Sequence, residues 1–159
     1  MLLLKNLLFT LLVPGTVGGY VPLLLIDGRR PASGLVFLIA LGLFIIGGTI
    51  YTWCVWDFAA FGRGTPAPID APKRLVVRGL YRYTRNPMYV GVFTVLMGWA
   101  VMFQAVTVLV YAIAIAVCFH LFVVLYEEPR LGRQFGSEYR VYCGNVGRWL
   151  PRFHARRVA

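Results

Sequence analysis

A long stretch without any formal charge, residues 90–126, constrains the fold of this chain more than any other feature. With Tyr89 it exceeds the roughly 20 residues that one helical membrane crossing needs. Its apolar residues run continuously instead of alternating, a pattern that favours helices over barrel strands. We predict two helices here, folded back as a hairpin with a tight turn at Gln104.

The whole composition points to a membrane protein. Hydrophobic residues make up 59% of the chain, only six residues are acidic, and the mean hydropathy is +0.71. Further spans are predicted at Leu7–Ile26 and Gly34–Trp56. We therefore expect an all-α integral membrane helical bundle of about four spans, the last two as a hairpin, plus a C-terminal interfacial helix. Residues 1–159 form one membrane domain, in which residues 1–56 hold two N-terminal spans and residues 73–152 form the functional core.

The distribution of the 16 Lys and Arg residues predicts the orientation. With both termini in the cytoplasm, only Arg29 and Arg30 face outward and the other basic residues face inward. This bias, with attraction to anionic head groups, accounts for the net charge of +10, so nucleic-acid binding is not predicted. We expect a multi-pass protein of a bacterial or archaeal cell membrane.

One polar motif, RGLYRYTRNPMYVG at residues 78–91, precedes the hairpin. Asn86 is a good N-cap and Pro87 suits the first helical position, so the third span is predicted to begin at Pro87. The free amides of such a helix start suit a carboxylate or a phosphate. We predict catalytic roles for Arg85, Asn86 and Tyr89.

A second motif, YEEPRLGRQFGSEYR at residues 126–140, follows the hairpin. Glu127 and Glu128 precede Pro129, and we expect them at a helix C-terminal end, where the helix dipole disfavours anions. One reading is a surface ion pair with Arg130 or Arg133. The other is that a carboxylate holds an ammonium or sulfonium group of a ligand, with tyrosine rings around the cation.

The segment after Pro129 has the spacing of an amphipathic helix at the membrane surface, interrupted at Gly136. Such a helix could cover the site and exclude water. The cysteines Cys54, Cys118 and Cys143 have no ligand-like spacing, so no metal site is predicted.

These motifs resemble the isoprenylcysteine carboxyl methyltransferase family and the related phospholipid N-methyltransferases. The likeness rests on Gly-x-Tyr-x-x-x-Arg-x-Pro-x-Tyr, Glu-Glu-x-x-Leu and Phe-Gly-x-x-Tyr-x-x-Tyr, within residues 73–152. It implies S-adenosylmethionine as cofactor, bound between the last two spans and the C-terminal segment. The implied cofactor-binding residues are Lys73, Arg74, Leu75, Val76, Tyr81, Asn86, Pro87, Met88, Tyr89, Glu127 and Glu128.

Two positions differ from that family pattern. Asn86 stands where the family usually has His, and an amide cannot take up a proton near neutral pH. Val123 stands where the eukaryotic prenylcysteine enzymes have an Arg that contacts substrate. The resemblance implies methyl transfer to a lipophilic small molecule, an isoprenylcysteine-type carboxylate or a phospholipid, amine or thiol, that enters from the lipid. A non-catalytic membrane scaffold and a sterol-type reductase are the alternatives, and the oligomeric state stays open.

Overall fold

The computed structural model describes residues 10, 12–62 and 75–151, and all regular structure in these residues is helical. The predicted all-α class is confirmed. Five α-helices are numbered in chain order: α1 Val21–Leu25, α2 Gly34–Asp57, α3 Pro87–Phe103, α4 Val106–Phe122 and α5 Glu128–Asn145. Four shorter helical turns accompany them: the π-helical Thr16–Tyr20, Phe58–Gly62 and Val123–Glu127, and the 3₁₀ turn Gly79–Arg82.

The predicted hairpin is present, with its turn at Gln104. This residue takes left-handed backbone angles (φ 47°, ψ 39°), and the Ala105 N–H donates to the carbonyl of Ala100. Such a conformation ends α3 and lets the chain reverse within two residues. The predicted start of α3 at Pro87 is confirmed as well.

Two glycines permit the closest helix contact in the bundle's centre. A Cβ added to Gly47 of α2 would lie 2.7 Å from the Gly91 carbonyl oxygen, and one added to Gly91 would lie 3.0 Å from the Gly47 carbonyl oxygen. Small residues allow backbones to approach in this way in membrane bundles. The α2–α3 contact therefore depends on both glycines, which the sequence reading did not single out.

The outer surface of the bundle is apolar. Exposed side chains on α2 and α4 include Leu38, Ile45, Val110, Ile113 and Val117. Two continuous helices, Gly34–Phe61 and Val106–Asn145, are long and apolar enough to cross a membrane, and Thr16–Leu25 and Pro87–Phe103 are shorter. The architecture is that of a helical membrane bundle, and the count of four spans remains a prediction.

The predicted helix end at Glu127 and Glu128 is wrong. The helix continues from α4 through the π-helical turn Val123–Glu127 into α5, and Gly136 (φ 54°, ψ −120°) is where it bends. Pro129 lies in the first turn of α5, where a missing N–H is tolerated. Glu127 and Glu128 therefore do not lie at an unfavourable helix C-terminal end, whereas the predicted interruption at Gly136 is confirmed.

The helices place the polar residues at opposite ends of the bundle. At the loop end, comprising residues 26–33 and 103–106, the Ala32 N–H donates to the Met102 carbonyl over 2.7 Å. At the motif end, comprising residues 78–89 and 123–150, the two sequence motifs meet. Arg29 and Arg30 follow α1 at the loop end, away from the other arginines described by the structure.

Candidate functional site

The centre of the motif end is a contact between α3 and the π-helical turn. The Tyr89 hydroxyl donates a hydrogen bond of 2.7 Å to Oε1 of Glu127. Tyr89 lies in the first turn of α3, and Glu127 is the last residue of the turn that continues α4. The hairpin thus brings together two residues that are 38 positions apart, as the sequence analysis anticipated.

The neighbouring carboxylate, Glu128, is held by two arginines. Arg148 donates from Nε to Oε1 over 2.7 Å and from Nη2 to Oε2 over 2.9 Å, and Nη1 of Arg85 lies 3.0 Å from Oε1. A two-bond contact between guanidinium and carboxylate is stronger and more directional than a single one. The structure thus pairs Glu128 with Arg85 and Arg148 in place of the Arg130 or Arg133 considered from the sequence.

A short extended segment fixes the arginine Arg148 to the first motif. Thr84 and Gly147 form an isolated parallel bridge, and the Arg85 N–H donates to the Gly147 carbonyl over 2.9 Å. The Arg148 carbonyl accepts from the Thr84 hydroxyl and from Nδ2 of Asn86 over 3.0 and 3.1 Å. Asn86 is the N-cap residue of α3, as predicted, but its side chain makes no capping hydrogen bond and instead binds the C-terminal segment.

Aromatic side chains border the Tyr89–Glu127 contact. The Tyr89 ring lies 4.6 Å from the Phe119 ring and 6.4 Å from the Trp149 ring, between centroids. Nε1 of Trp149 donates to Nδ1 of His120 over 3.1 Å. The site consequently has one wall of rings from α3, α4 and the C-terminal segment.

Tyr81 and Val76 lie beneath the first motif. Both are buried in one apolar cluster with Cys54 of α2, against which Met88 packs. The Tyr142 hydroxyl of α5 donates to the Tyr81 carbonyl over 2.8 Å, and Leu75 packs on the cluster that contains Tyr142. These side chains hold the 3₁₀ turn and α5 together.

The predicted site residues divide into three groups. The first group meets at the motif end and comprises Arg85, Asn86, Tyr89, Glu127 and Glu128. The second contributes to the packing next to it and comprises Leu75, Val76, Tyr81 and Met88, with Pro87 as the buried first residue of α3. The third, Lys73 and Arg74, lies outside the described residues. Arg148 and Trp149 were not predicted as site residues. Their sequence context, RWLP at residues 148–151, resembles a membrane-surface anchor that could also cover the site, so the sequence indicated their position but not their contacts.

The pKa values of the two carboxylates are shifted in opposite directions. Burial raises the pKa of Glu127, the hydrogen bond from Tyr89 partly offsets this, and the charge of Glu128 adds to the rise. Burial also acts to raise the pKa of Glu128, but the hydrogen bond from Arg148 and the charges of Arg85 and Arg148 outweigh it and lower that pKa. Glu128 is thus paired with arginines, whereas Glu127 has an oxygen that could bind a ligand.

Besides Oδ2 of Asp57, the ion-pair partner of Arg78, two polar atoms next to the Tyr89–Glu127 and Arg85–Glu128 contacts have no partner among the described residues. One is Nε of Arg85, which is buried. The other is Oε2 of Glu127, since the contact with Tyr89 uses Oε1. A buried cationic donor and a half-buried carboxylate oxygen, both unused, suit a ligand that carries both an anionic and a cationic group.

The structure is thus that of a helical membrane protein with a cluster of charged and aromatic side chains at one end of its bundle. Residues 35–138 match the family model described as phospholipid methyltransferase, which covers more than half of the chain. The chain belongs to that family and is a membrane methyltransferase. No curated protein matches it.

Proposed function

We propose that the protein transfers a methyl group from S-adenosylmethionine to a lipophilic small-molecule acceptor at the motif end. The observation that carries this proposal is the Tyr89–Glu127 contact, which leaves one carboxylate oxygen beside a tyrosine ring. Family membership supports methyl transfer in general. Both S-adenosylmethionine as the methyl donor and the lipophilic acceptor are proposed.

The unpaired atoms of the site fit the charges of this cofactor. Glu127 Oε2 would accept from the ammonium group or face the sulfonium, and the Tyr89 ring would offer its face to the same cation. Arg85 Nε would donate to the cofactor's carboxylate. When bound, S-adenosylmethionine supplies an electrophilic methyl group with a good leaving group.

The remaining task of the protein is positioning and exclusion of water. Glu128, bound to Arg85 and Arg148, connects the first motif to the C-terminal segment and keeps that segment over the site. Trp149 adds an apolar surface next to Tyr89. We assign Glu128 a positioning role, because Arg148 occupies both of its oxygens.

A lipophilic acceptor is favoured by the surroundings of the site. Leu121, Phe122 and Leu125 are exposed on the helix that leads to Glu127, so an acceptor with a hydrocarbon tail can approach along lipid-facing surface. Val123 is buried and apolar at the position where prenylcysteine enzymes have an Arg. An isoprenylcysteine-type carboxylate and a phospholipid, amine or thiol acceptor are both compatible with this entrance.

The experiment that tests the proposal follows a labelled methyl group. The native protein with methyl-labelled S-adenosylmethionine and a membrane lipid extract should release label into the organic-extractable fraction. Glu127→Gln should weaken cofactor binding by about 1 to 3 kcal/mol, the range for a hydrogen bond to a charged group. Calorimetry in detergent measures that affinity directly.

Glu138→Gln is the matched control, because Glu138 is exposed on α5 and has no ion pair among the residues described. It should bind the cofactor like the native protein. Equal affinity in Glu127→Gln and Glu138→Gln would remove Glu127 from the site. Label found only in water-soluble products would defeat the lipophilic acceptor, and binding of a reduced nicotinamide in place of S-adenosylmethionine would favour a reductase.

A further inference from the structure

His120 is an ionisable residue within the hydrophobic helix α4 and has a defined partner. Its Nδ1 accepts a hydrogen bond of 3.1 Å from Nε1 of Trp149, and the two rings lie 6.1 Å apart between centroids. Trp149 also approaches Tyr89, which is bonded to Glu127. His120 therefore borders the proposed reaction site through the same indole ring.

This contact determines which ring nitrogen carries the proton. An indole N–H can only donate, so Nδ1 of His120 must offer its lone pair. The single proton of the uncharged imidazole then resides on Nε2. In this arrangement Nε2 is a hydrogen-bond donor, and the ring has no free lone pair with which to accept a proton from a substrate.

The donor on Nε2 has no partner among the residues described by the structure. His120 is exposed, and it precedes Glu127 by seven residues, about 10 Å along a helix that rises about 1.5 Å per residue. A polar N–H that faces lipid without a hydrogen bond is costly. A hydrogen-bond acceptor on a membrane-bound substrate, placed next to His120, would remove that cost.

We infer that His120 recognises the methyl acceptor by donating its Nε2–H to an anionic oxygen of the acceptor's head group. The inference rests on the proposed function and adds the chemistry of the acceptor to it. Hydrogen bonds to charged oxygens are stronger than neutral ones, and a low-dielectric setting strengthens them further. Trp149 is the positioning residue that keeps Nε2 as the donor.

Three amphiphiles with one tail and different heads test this inference. Dodecanoate offers a carboxylate, dodecyl phosphate offers a phosphate, and dodecylamine offers no oxygen. Calorimetry in nanodiscs with S-adenosylmethionine present should show that His120→Asn weakens binding of at least one anionic probe by about tenfold, the loss expected for one hydrogen bond to a charged group. Dodecylamine binding should not change.

His120→Gln is the informative partner variant, because its amide nitrogen reaches the position of Nε2, whereas the Asn side chain reaches only the position of Nδ1. We expect His120→Gln to restore most of the anionic-probe affinity. Val117→Ala, at another exposed position of α4, controls for the loss of apolar side-chain surface and should bind all three probes like the native protein. Loss for dodecanoate alone would identify a carboxylate acceptor, and loss for dodecyl phosphate alone would identify a phosphate beside the methylated atom.

The inference is overturned if probe binding does not depend on His120, or if the effect of His120 does not depend on an anionic oxygen in the probe. Native-like binding of both anionic probes by His120→Asn is one such result, and equal weakening of dodecylamine is another. Loss in His120→Gln without loss in His120→Asn would show that only the Trp149 contact matters. Failure of the proposed function is seen separately, as absence of S-adenosylmethionine binding in the native protein.

Discussion

At the scale of single residues, Gly47 has no room for a larger side chain. A Cβ there would meet the Gly91 carbonyl at 2.7 Å and the Val95 nitrogen at 2.9 Å, and both are backbone atoms that no rotamer change can move. Gly47→Ala should therefore lower the stability by about 1 to 3 kcal/mol, the usual cost of overpacking. Unfolding of the protein in detergent, followed by circular dichroism, measures this change.

Gly48→Ala provides the matched comparison, because a Cβ at Gly48 has nothing within 4 Å. It should be neutral or slightly stabilising, since alanine favours helices over glycine. Equal destabilisation by the two substitutions would show that the α2–α3 contact is looser than described.

The residue scale also shows what the sequence can predict. Tyr89 and Glu127 were anticipated together, because a charge-free stretch of known length must return its ends to one side of the membrane. The Glu128–Arg148 contact was not, because it depends on how Thr84 and Gly147 pair, and no periodic pattern marks an isolated bridge. The position of Asn86 as N-cap was predicted, but its side-chain amide donates to a distant carbonyl and not to the local helix start, which no local pattern indicates.

At the scale of elements, the predicted helix end was wrong at the joint between α4 and α5, residues 123–128. Pro129 suggested a helix end, yet the preceding π-helical turn allows the helix to continue through it. Continuity places Glu127 on one side of the joint and Glu128 on the other, where Arg148 binds it. The helix boundaries at Pro87 and Gln104 were predictable, because each depends on local backbone chemistry.

The Glu128 carboxylate at this joint predicts that the stability of the folded protein depends on pH. The pKa of Glu128 is lowered in the folded protein, so the unfolded chain binds the proton more readily. The resulting stabilisation is complete above the ordinary carboxyl pKa and is lost as the pH falls through the lower folded value. The thermal midpoint in detergent should fall on acidification below about pH 5.

Glu128→Gln removes the charge at every pH, so it should lower the midpoint at pH 7 and flatten the acid dependence. Glu138→Gln, on an exposed position of the same helix, should keep the native profile. If Glu128→Gln retained the full acid dependence, the contact with Arg148 would not be its source.

At the scale of the whole molecule, the ends of the bundle differ in charge. Arg29 and Arg30 lie at the loop end, whereas the motif end and α5 carry the other described arginines, which are Arg78, Arg82, Arg85, Arg130, Arg133, Arg140 and Arg148. The positive-inside rule then predicts a cytoplasmic motif end. In a cysteine-free background, Arg29→Cys should react with an impermeant maleimide added outside intact cells, and Arg82→Cys should not.

Permeabilised cells supply the control, because both cysteines should then react. Labelling of Arg82→Cys alone in intact cells would invert the orientation and place the site outside. The charge distribution along the sequence predicts this topology without any structure, because it depends only on which loops share a side of the membrane.

The bridge between Thr84 and Gly147 also bears on how the protein matures. The contacts of Arg148 with Thr84 and Asn86 join positions 64 and 62 residues apart, with the whole hairpin between them. Because synthesis proceeds from the N-terminus, the two hairpin helices leave the ribosome before residues 147–149 do. The contacts of Arg148 with Thr84 and Asn86 can therefore form only after both hairpin helices have been synthesised, so this end of the bundle is the last part of the fold to be completed.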